Sequence, residues 1–238
     1  MLENIDLTNV MSLDIETVPM VKNYSDLEEH WKKLWDIKSK QKYPNQTPEE
    51  SWPMAGIFAE FGKIVCISVG TFVKWGKTYQ IKVKSFNGQN ETTILNDFIE
   101  SINKHIKSPA STLAAHNGKE FDYPFIARRL VVNRIAIPFI LDLSGKKPWE
   151  VNLIDTMDLW KFGDFKAYTS LNLIAACLNI PTPKDDIDGS QVYKVYYHEN
   201  DLDRIKIYCQ KDVVTLSRLI LRLKGENDIP DEFIGYSN

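Results

Sequence analysis

The sequence lacks the features that mark several large classes of protein. No apolar run in its 238 residues approaches the roughly 18 residues that a membrane-spanning helix needs, and residues 1–10 lack the basic start and apolar middle of a secretory signal. Its three cysteines, Cys66, Cys177 and Cys209, are too few and too widely spaced for a disulfide framework or a zinc motif. We therefore expect a cytoplasmic protein that does not contact membranes and whose cysteines pack in the core.

A large excess of charge of one sign is also missing. The formal net charge is -3 and the isoelectric point is about 5.9. These values argue against a broad basic surface that would hold a long polyanion through many phosphates. With 43% hydrophobic and 26% charged residues, the composition is that of an ordinary globular protein.

The periodicity of apolar residues predicts an α/β fold. Strands are predicted at 10–16, 63–71, 78–86, 111–116 and 151–156, and helices at about 91–106, 124–133, 170–178 and 201–223. We expect one mixed five-stranded sheet flanked by helices, in a single domain spanning residues 1–238. A helical insertion at about 17–61 separates the first two strands, as either a lid or a flank.

Two acidic residues interrupt the first predicted strand. Asp14 and Glu16 are two positions apart, so their side chains point to the same face of the strand and can converge on one cation. In a central strand such charges are costly unless they are paired or bind a metal. The alternative is a pair at a strand end that faces solvent, and spacing alone does not decide between the two.

A third acid breaks the apolar seam of the last predicted helix. Asp212 falls in a stripe of apolar positions, and breaks of this kind are expected where function overrides packing. Tyr208 lies one helical turn earlier on the same side. A salt bridge from Asp212 to a neighbouring Lys or Arg is the alternative. The stripe consists of Ile205, Cys209, Leu216, Leu219 and Leu223.

A fourth acid lies in the segment 116–124, between the fourth strand and the next helix. Asp122 is expected near the N-terminus of that helix, where the helix dipole favours a carboxylate. A simple capping role is therefore the alternative to a functional one.

Together these segments resemble a known family in order and spacing. Asp14-Ile15-Glu16-Thr17, then Asn117 with Phe121-Asp122, then Tyr208 with Asp212, resemble the three exonuclease motifs of the DEDD superfamily. The resemblance extends from about Val10 to Leu223. It is to stand-alone bacterial proteins related to the proofreading exonuclease domain of family-B DNA polymerases. Ile207 occupies the position where histidine-type relatives carry His, so Tyr208 indicates the tyrosine type. No polymerase module follows Asp212, so proofreading within this chain is not expected.

The resemblance implies a ribonuclease H-like fold and a metal-dependent 3′-to-5′ exonuclease. Four acids would hold two divalent cations, Mg²⁺ or Mn²⁺, roughly 4 Å apart across the scissile phosphate. By this resemblance Asp14 is shared by both ions, Glu16 and Asp212 bind the ion that activates water, and Asp122 binds the other. Tyr208 would orient the attacking water. Thr17 and Asn117 would contact the terminal nucleotide.

Two other functions remain open at this point. The same fold hosts endonucleases and RNA-trimming nucleases, and a catalytically silent nucleic-acid-binding module would keep only the shell of the site. The presence of all four acids and Tyr208 argues against the silent module. The expected partner is a nucleic acid, single-stranded, with DNA favoured over RNA. The sequence leaves open the oligomeric state and any separate polymerase or repair partner.

Overall fold

The computed structural model describes residues 2–147, 150–182 and 186–237. Within these ranges, no helix is both long enough and apolar enough to cross a membrane.

One mixed six-stranded sheet forms the centre of the molecule, in the order β5-β4-β1-β2-β3-β6. β1 is antiparallel to β2 and parallel to β4, while β3 and β6 are parallel. The predicted α/β class and mixed sheet are confirmed, but the count of five strands is wrong. The strands are β1 (Val10–Pro19), β2 (Gly62–Trp75), β3 (Thr78–Asn87), β4 (Thr112–Ala115), β5 (Leu153–Asp155) and β6 (Ile234–Ser237).

The missed sixth strand is an edge strand of four residues. β6 pairs with residues 81–84 of β3 and is partly or fully exposed along its length. Because it buries little apolar surface, the alternation of apolar and polar residues that reveals a strand is weak there.

Helices cover both faces of this sheet. The predicted helices at 91–106, 124–133, 170–178 and 201–223 are all present, while the short α5 was not predicted. The α-helices are α1 (Glu29–Lys42), α2 (Pro48–Ser51), α3 (Glu91–His105), α4 (Asp122–Val132), α5 (Thr156–Lys161), α6 (Leu171–Cys177), α7 (Val192–Lys194) and α8 (Leu202–Lys224), with a π-helical turn at Val195–Glu199. The 3-10 helices are Leu7–Asn9, Tyr24–Asp26, Trp52–Ile57, Gly189–Gln191 and Asp231–Phe233.

The alternation of side chains along β1 divides the core into two layers. Met11, Leu13 and Ile15 pack beneath α3 and α4. Val10 packs beneath α8, and the Ser12 hydroxyl accepts a hydrogen bond of 2.9 Å from Ser217 of that helix. Because side chains alternate, Asp14 and Glu16 belong to the α8 face.

The segment between β1 and β2 has an aromatic core of its own. β1 continues to Pro19, two residues beyond the predicted start of the insertion. Trp35 and Trp52 are almost fully buried and meet edge to face at 5.4 Å. The Trp52 indole donates to the Val21 carbonyl at 3.1 Å, which ties this small core to the chain just after β1.

A buried ion pair fixes α4 against the rest of the molecule. Arg129 donates to both carboxylate oxygens of Glu91, at 2.8 and 2.6 Å, and to the Ala59 carbonyl at 2.8 Å. Glu91 also accepts the backbone N–H of Ile64 at 2.8 Å. These bonds join α3, α4 and β2.

The expectation that the cysteines pack in the core holds for two of the three. Cys66 and Cys209 are buried, whereas Cys177 is exposed. α6 buries Ile174 and Ala175, whereas Cys177, the last residue of α6, is exposed.

Candidate active site

Asp14 and Glu16 lie side by side on the α8 face of the central strand. Asp14 is partly buried and Glu16 is 7% exposed. The pairing of β1 with β2 shifts by a β-bulge between Glu16 and Thr17. A bulge re-aims the side chains next to it and is common beside functional sites.

α8 brings Asp212 and Tyr208 over this pair of acids. The Cys209 thiol donates to the Asp14 carbonyl at 3.4 Å, so the helix is anchored to β1 at the site itself. Close approach of α8 depends on Gly70, where a Cβ atom would come within 2.8 Å of the Val213 side chain. The Tyr208 hydroxyl lies close enough to the Asp212 carboxyl to lower the pKa of that acid.

Asp122 approaches β1 from α4, which packs on the face of the sheet opposite α8. It is the first residue of α4 and is 4% exposed. Burial dominates its pKa, while its own backbone N–H and that of Ile15 lower it, so the carboxyl lies near the Asp14–Ile15 peptide. Its place at a helix N-terminus was predicted, and its closeness to β1 goes beyond a capping role.

A cleft of about 470 Å³ opens above these residues. Asp14, Glu16, Thr17, Tyr208 and Asp212 line it together. Asn117 and Asp122 are not among the lining residues in the described part of the chain. The other lining residues are Ile15, Tyr43, Pro53, Met54, Gly56, Ile57, Phe121, Gly189, Ser190 and Tyr193.

The pKa of each of the four acids is raised. Burial, followed by the charges of the neighbouring carboxylates, raises the pKa of both Asp14 and Glu16 well above the usual range. Burial raises the pKa of Asp122 to about 7 and that of Asp212 to about 6. These shifts show that the negative charges at the site are stabilised poorly by the protein alone.

The residues present fit a divalent cation. The Oδ2 atom of Asp14 is buried and has no hydrogen-bond partner. Donor atoms of Asp14, Glu16 and Cys209 lie within 4.8 Å of one another. Carboxylate oxygens are the ligands that Mg²⁺ and Mn²⁺ prefer, and a cation would offset the cost of burying like charges.

Asn117 lies in the loop that positions Asp122. It has a positive φ of 61°, a conformation that Asn tolerates better than most residues. Its backbone N–H donates to Asp155 at 2.9 Å, and that of Lys119 donates to the same carboxylate at 3.0 Å. The predicted contact between Asn117 and a nucleotide stays a prediction.

Asp155 is a positioning residue that the sequence did not reveal. It is 3% exposed at the end of β5, and its Oδ1 also accepts the Met157 N–H at 3.0 Å. The available signal was its position, as an acid at the end of a short apolar strand and directly before a helix. The predicted strand at 151–156 includes Asp155 without assigning it a role.

The family B DNA polymerase from the hyperthermophilic archaeon Pyrobaculum calidifontis is structurally similar over 89% of this chain, with 12% identity and a TM-score of 0.49. The chain covers 24% of that polymerase. No curated protein matches the sequence.

A family model described as a predicted 3′-5′ exonuclease related to the exonuclease domain of PolB matches residues 57–228. Asp122, Tyr208 and Asp212 fall inside the matched range, and Asp14 and Glu16 precede it. The match covers more than half of the chain. This protein therefore belongs to that family of 3′-to-5′ exonucleases, which hydrolyse phosphodiester bonds of nucleic acid with divalent metal ions.

Proposed function

We propose that this protein shortens single-stranded nucleic acid, DNA in preference to RNA, from the 3′ end with two Mg²⁺ or Mn²⁺ ions. The proposal includes a ribonuclease H-like fold and one domain spanning residues 1–238, with a helical insertion at about 17–61. The observation that carries it is the orphaned Oδ2 atom of Asp14, buried among Glu16, Asp122 and Asp212. A buried carboxylate oxygen without a donor is explained by a cation ligand.

The four acids would hold the cations from three elements. Asp14 is central, Glu16 and Asp212 face it in the cleft, and Asp122 lies behind it, close enough to act through a water. When bound, the two ions would lower the pKa of the attacking water and stabilise the leaving 3′ oxygen. No nucleophile from the protein is needed.

Tyr208 would orient the attacking water. Burial and the nearby carboxylates raise the pKa of Tyr208, so its hydroxyl stays protonated and can donate. The hydroxyl also lies beside Asp212, whose pKa it lowers. Thr17 lines the cleft and is placed to contact the terminal nucleotide, and we assign Asn117 to the same role.

The walls of the cleft support a single strand as the substrate. In the 3-10 helix Trp52–Ile57, residues three apart lie on the same side. Trp52 and Ala55 face the buried aromatic core, which leaves Met54 and Ile57 lining the cleft. These apolar side chains would pack against the face of a base, while the cations held by the acids would contact the phosphate. A cleft of about 470 Å³ is the size of a site for one small ligand, not for a duplex end.

Gly56 keeps this wall close to the acids. A Cβ atom there would lie 3.0 Å from the Val18 backbone, so only glycine lets the 3-10 helix pack directly on β1. On the other side, Tyr193 donates to the Lys22 carbonyl at 2.8 Å and closes the second wall.

A ladder assay with labelled oligonucleotides tests the proposal. Matched single-stranded DNA and RNA, labelled at the 5′ end, are incubated with Mg²⁺ or Mn²⁺. We expect stepwise shortening from the 3′ end, faster for DNA. Internal fragments, or cleavage of a circular strand, would instead identify an endonuclease.

Thermal unfolding tests the metal site without relying on activity. A ligand that binds only the folded state at 100 times its Kd stabilises it by about 2.7 kcal/mol. Mn²⁺ should therefore raise the Tm of the wild-type protein, and should not raise that of Asp14→Ala. An equal rise in both proteins would count against Asp14 as a ligand.

A further inference from the structure

Three aromatic side chains project into solvent from the loop between α5 and α6. The exposed fractions are 73% for Phe162, 83% for Phe165 and 64% for Tyr168. Large apolar side chains grouped on a surface mark binding sites more often than scattered ones do. The mechanism proposed above does not use these rings.

The loop is anchored at both ends. Phe162 and Gly163 have positive φ angles of 45° and 91°, which turn the chain away from α5. At the other end, His116 Nε2 lies 2.9 Å from the Thr169 carbonyl and must donate to it, while Nδ1 contacts the Thr156 hydroxyl at 2.9 Å. The rings are therefore presented on a fixed base.

The sheet places this loop on the same edge as the acids. β1, β4 and β5 are parallel neighbours, with Ser12 beside Ala114 and Ala115 beside Asp155. Asp14 and the start of α5 therefore follow the same edge, two strand spacings or roughly 10 Å apart. The six residues of α5 add roughly 9 Å before the loop begins.

A continuous series of contacts joins the cleft to the loop. Phe121 lines the cleft, and Lys119, two residues before it, pairs with Asp158 of α5 at 3.2 Å. Lys161 also contacts Asp158 at 3.2 Å, and its ammonium group lies 4.7 Å from the ring centre of Tyr168. The path from the cleft thus leads from one aromatic ring, through two lysines that share Asp158, to a second ring.

We infer that the aromatic loop 162–168 is a second binding site, on which bases of the substrate strand stack upstream of the 3′ end. The inference rests on the proposed function, because it places the 3′ end in the cleft. Taken at right angles, the roughly 10 Å from Asp14 to the start of α5 and the roughly 9 Å of α5 give a span of roughly 14 Å, or roughly four stacked nucleotides at 3.4 Å each. Aromatic stacking accepts any base, and nearby lysines suit the backbone. The loop would hold long substrates without selecting their sequence.

Phe165→Ala and Phe162→Ala test this site, with Phe139→Ala as the matched control. Phe139 is 63% exposed, but it lies between α4 and β5, outside the loop 162–168 and outside the lining of the cleft. All three side chains are exposed, so the variants should fold, and equal Tm values would verify this. The substrates are an oligonucleotide of about 12 nucleotides and a trinucleotide.

For the long substrate, KM should rise roughly 5- to 100-fold in the two loop variants, with kcat unchanged. The trinucleotide, too short to reach the loop, should be hydrolysed as by the wild-type protein. Phe139→Ala should change neither. An unchanged KM, or an equal change for both substrates, would overturn the inference, as would a change of oligomeric state in place of the KM effect.

Binding measured by fluorescence anisotropy separates this inference from the proposed function. If the wild-type protein failed to shorten any oligonucleotide while the loop variants still lost affinity for the long one, the exonuclease proposal would fail and the loop site would stand. If the wild-type protein shortened both substrates and the loop variants bound the long one normally, the loop site alone would fail.

Discussion

Replacing Asp212 by asparagine removes one negative charge from the site and leaves its shape almost intact. Burial raises the pKa of Asp212 from 3.8 to about 6. This rise in the pKa of Asp212 corresponds to about 3 kcal/mol, because a tenfold change in an equilibrium constant is worth about 1.36 kcal/mol. In the metal-free protein the ionised Asp212 should therefore lower the free energy of unfolding by about that amount, and Asp212→Asn should recover it.

The sign of this effect changes with pH in a defined way. An unfolded chain releases the Asp212 proton near pH 3.8, and the folded protein keeps it until about pH 6. Between these values the folded state binds more protons, so the free energy of unfolding of the wild-type protein falls as pH rises. The advantage of Asp212→Asn should be close to zero near pH 4 and full above about pH 7.

Urea denaturation in the presence of a chelator measures this difference across the pH range. Asp203→Asn is the control, since Asp203 lies on the same helix with its side chain 79% exposed and should change stability by less than about 0.5 kcal/mol. Hydrolysis by Asp212→Asn should be lost. If Asp212→Asn is no more stable than the wild-type protein at about pH 8, then ionised Asp212 does not lower the free energy of unfolding, and the reasoning is refuted.

Three further predictions concern other parts of the structure. Tyr208→Phe should lower kcat by roughly 10- to 100-fold in single-turnover kinetics, less than the loss of any of the four acids, and an equal loss would contradict its role in orienting water. Ile57→Ala should raise the KM for single-stranded DNA roughly tenfold, because Ile57 lines the cleft. Ile37 is equally apolar and 61% exposed, but it lies on α1 away from the cleft, so Ile37→Ala should leave KM unchanged. Equal effects of the two variants would show that the wall formed by Met54 and Ile57 does not bind the substrate. Glu91→Ala should lower the free energy of unfolding by about 3–5 kcal/mol in urea, because it leaves Arg129 buried without its partner, and a loss below about 1 kcal/mol would show that the ion pair is solvated.

Sequence reasoning singled out three of the four acids because each of these three breaks a local rule. Asp14 and Glu16 share a face through the two-residue repeat of a strand, and Asp212 interrupts an apolar helical seam. Those arguments depend only on periodicity. Periodicity gives the face of an element and not its neighbours, so it could not reveal that Asp122 lies near the backbone of Ile15.

Other features were beyond the sequence for physical reasons. The wall formed by Met54 and Ile57 depends on a 3-10 helix of six residues, too short to produce a recognisable period. The edge strand β6 buries little surface. The role of Asp155 comes from backbone donors in a loop about 38 residues earlier in the chain, which no local pattern encodes.

The hydrogen bond between Ser12 and Ser217 joins residues 205 positions apart. Closing so long a loop carries a large entropic cost, which docking of α8 on the sheet must outweigh. Asp212 reaches Asp14 only through this docking, so a chain whose last helix has not docked lacks one of the four acids at the site. Under the proposed function, hydrolysis would therefore be confined to molecules in which α8 has docked, and measured cleavage would report that docking.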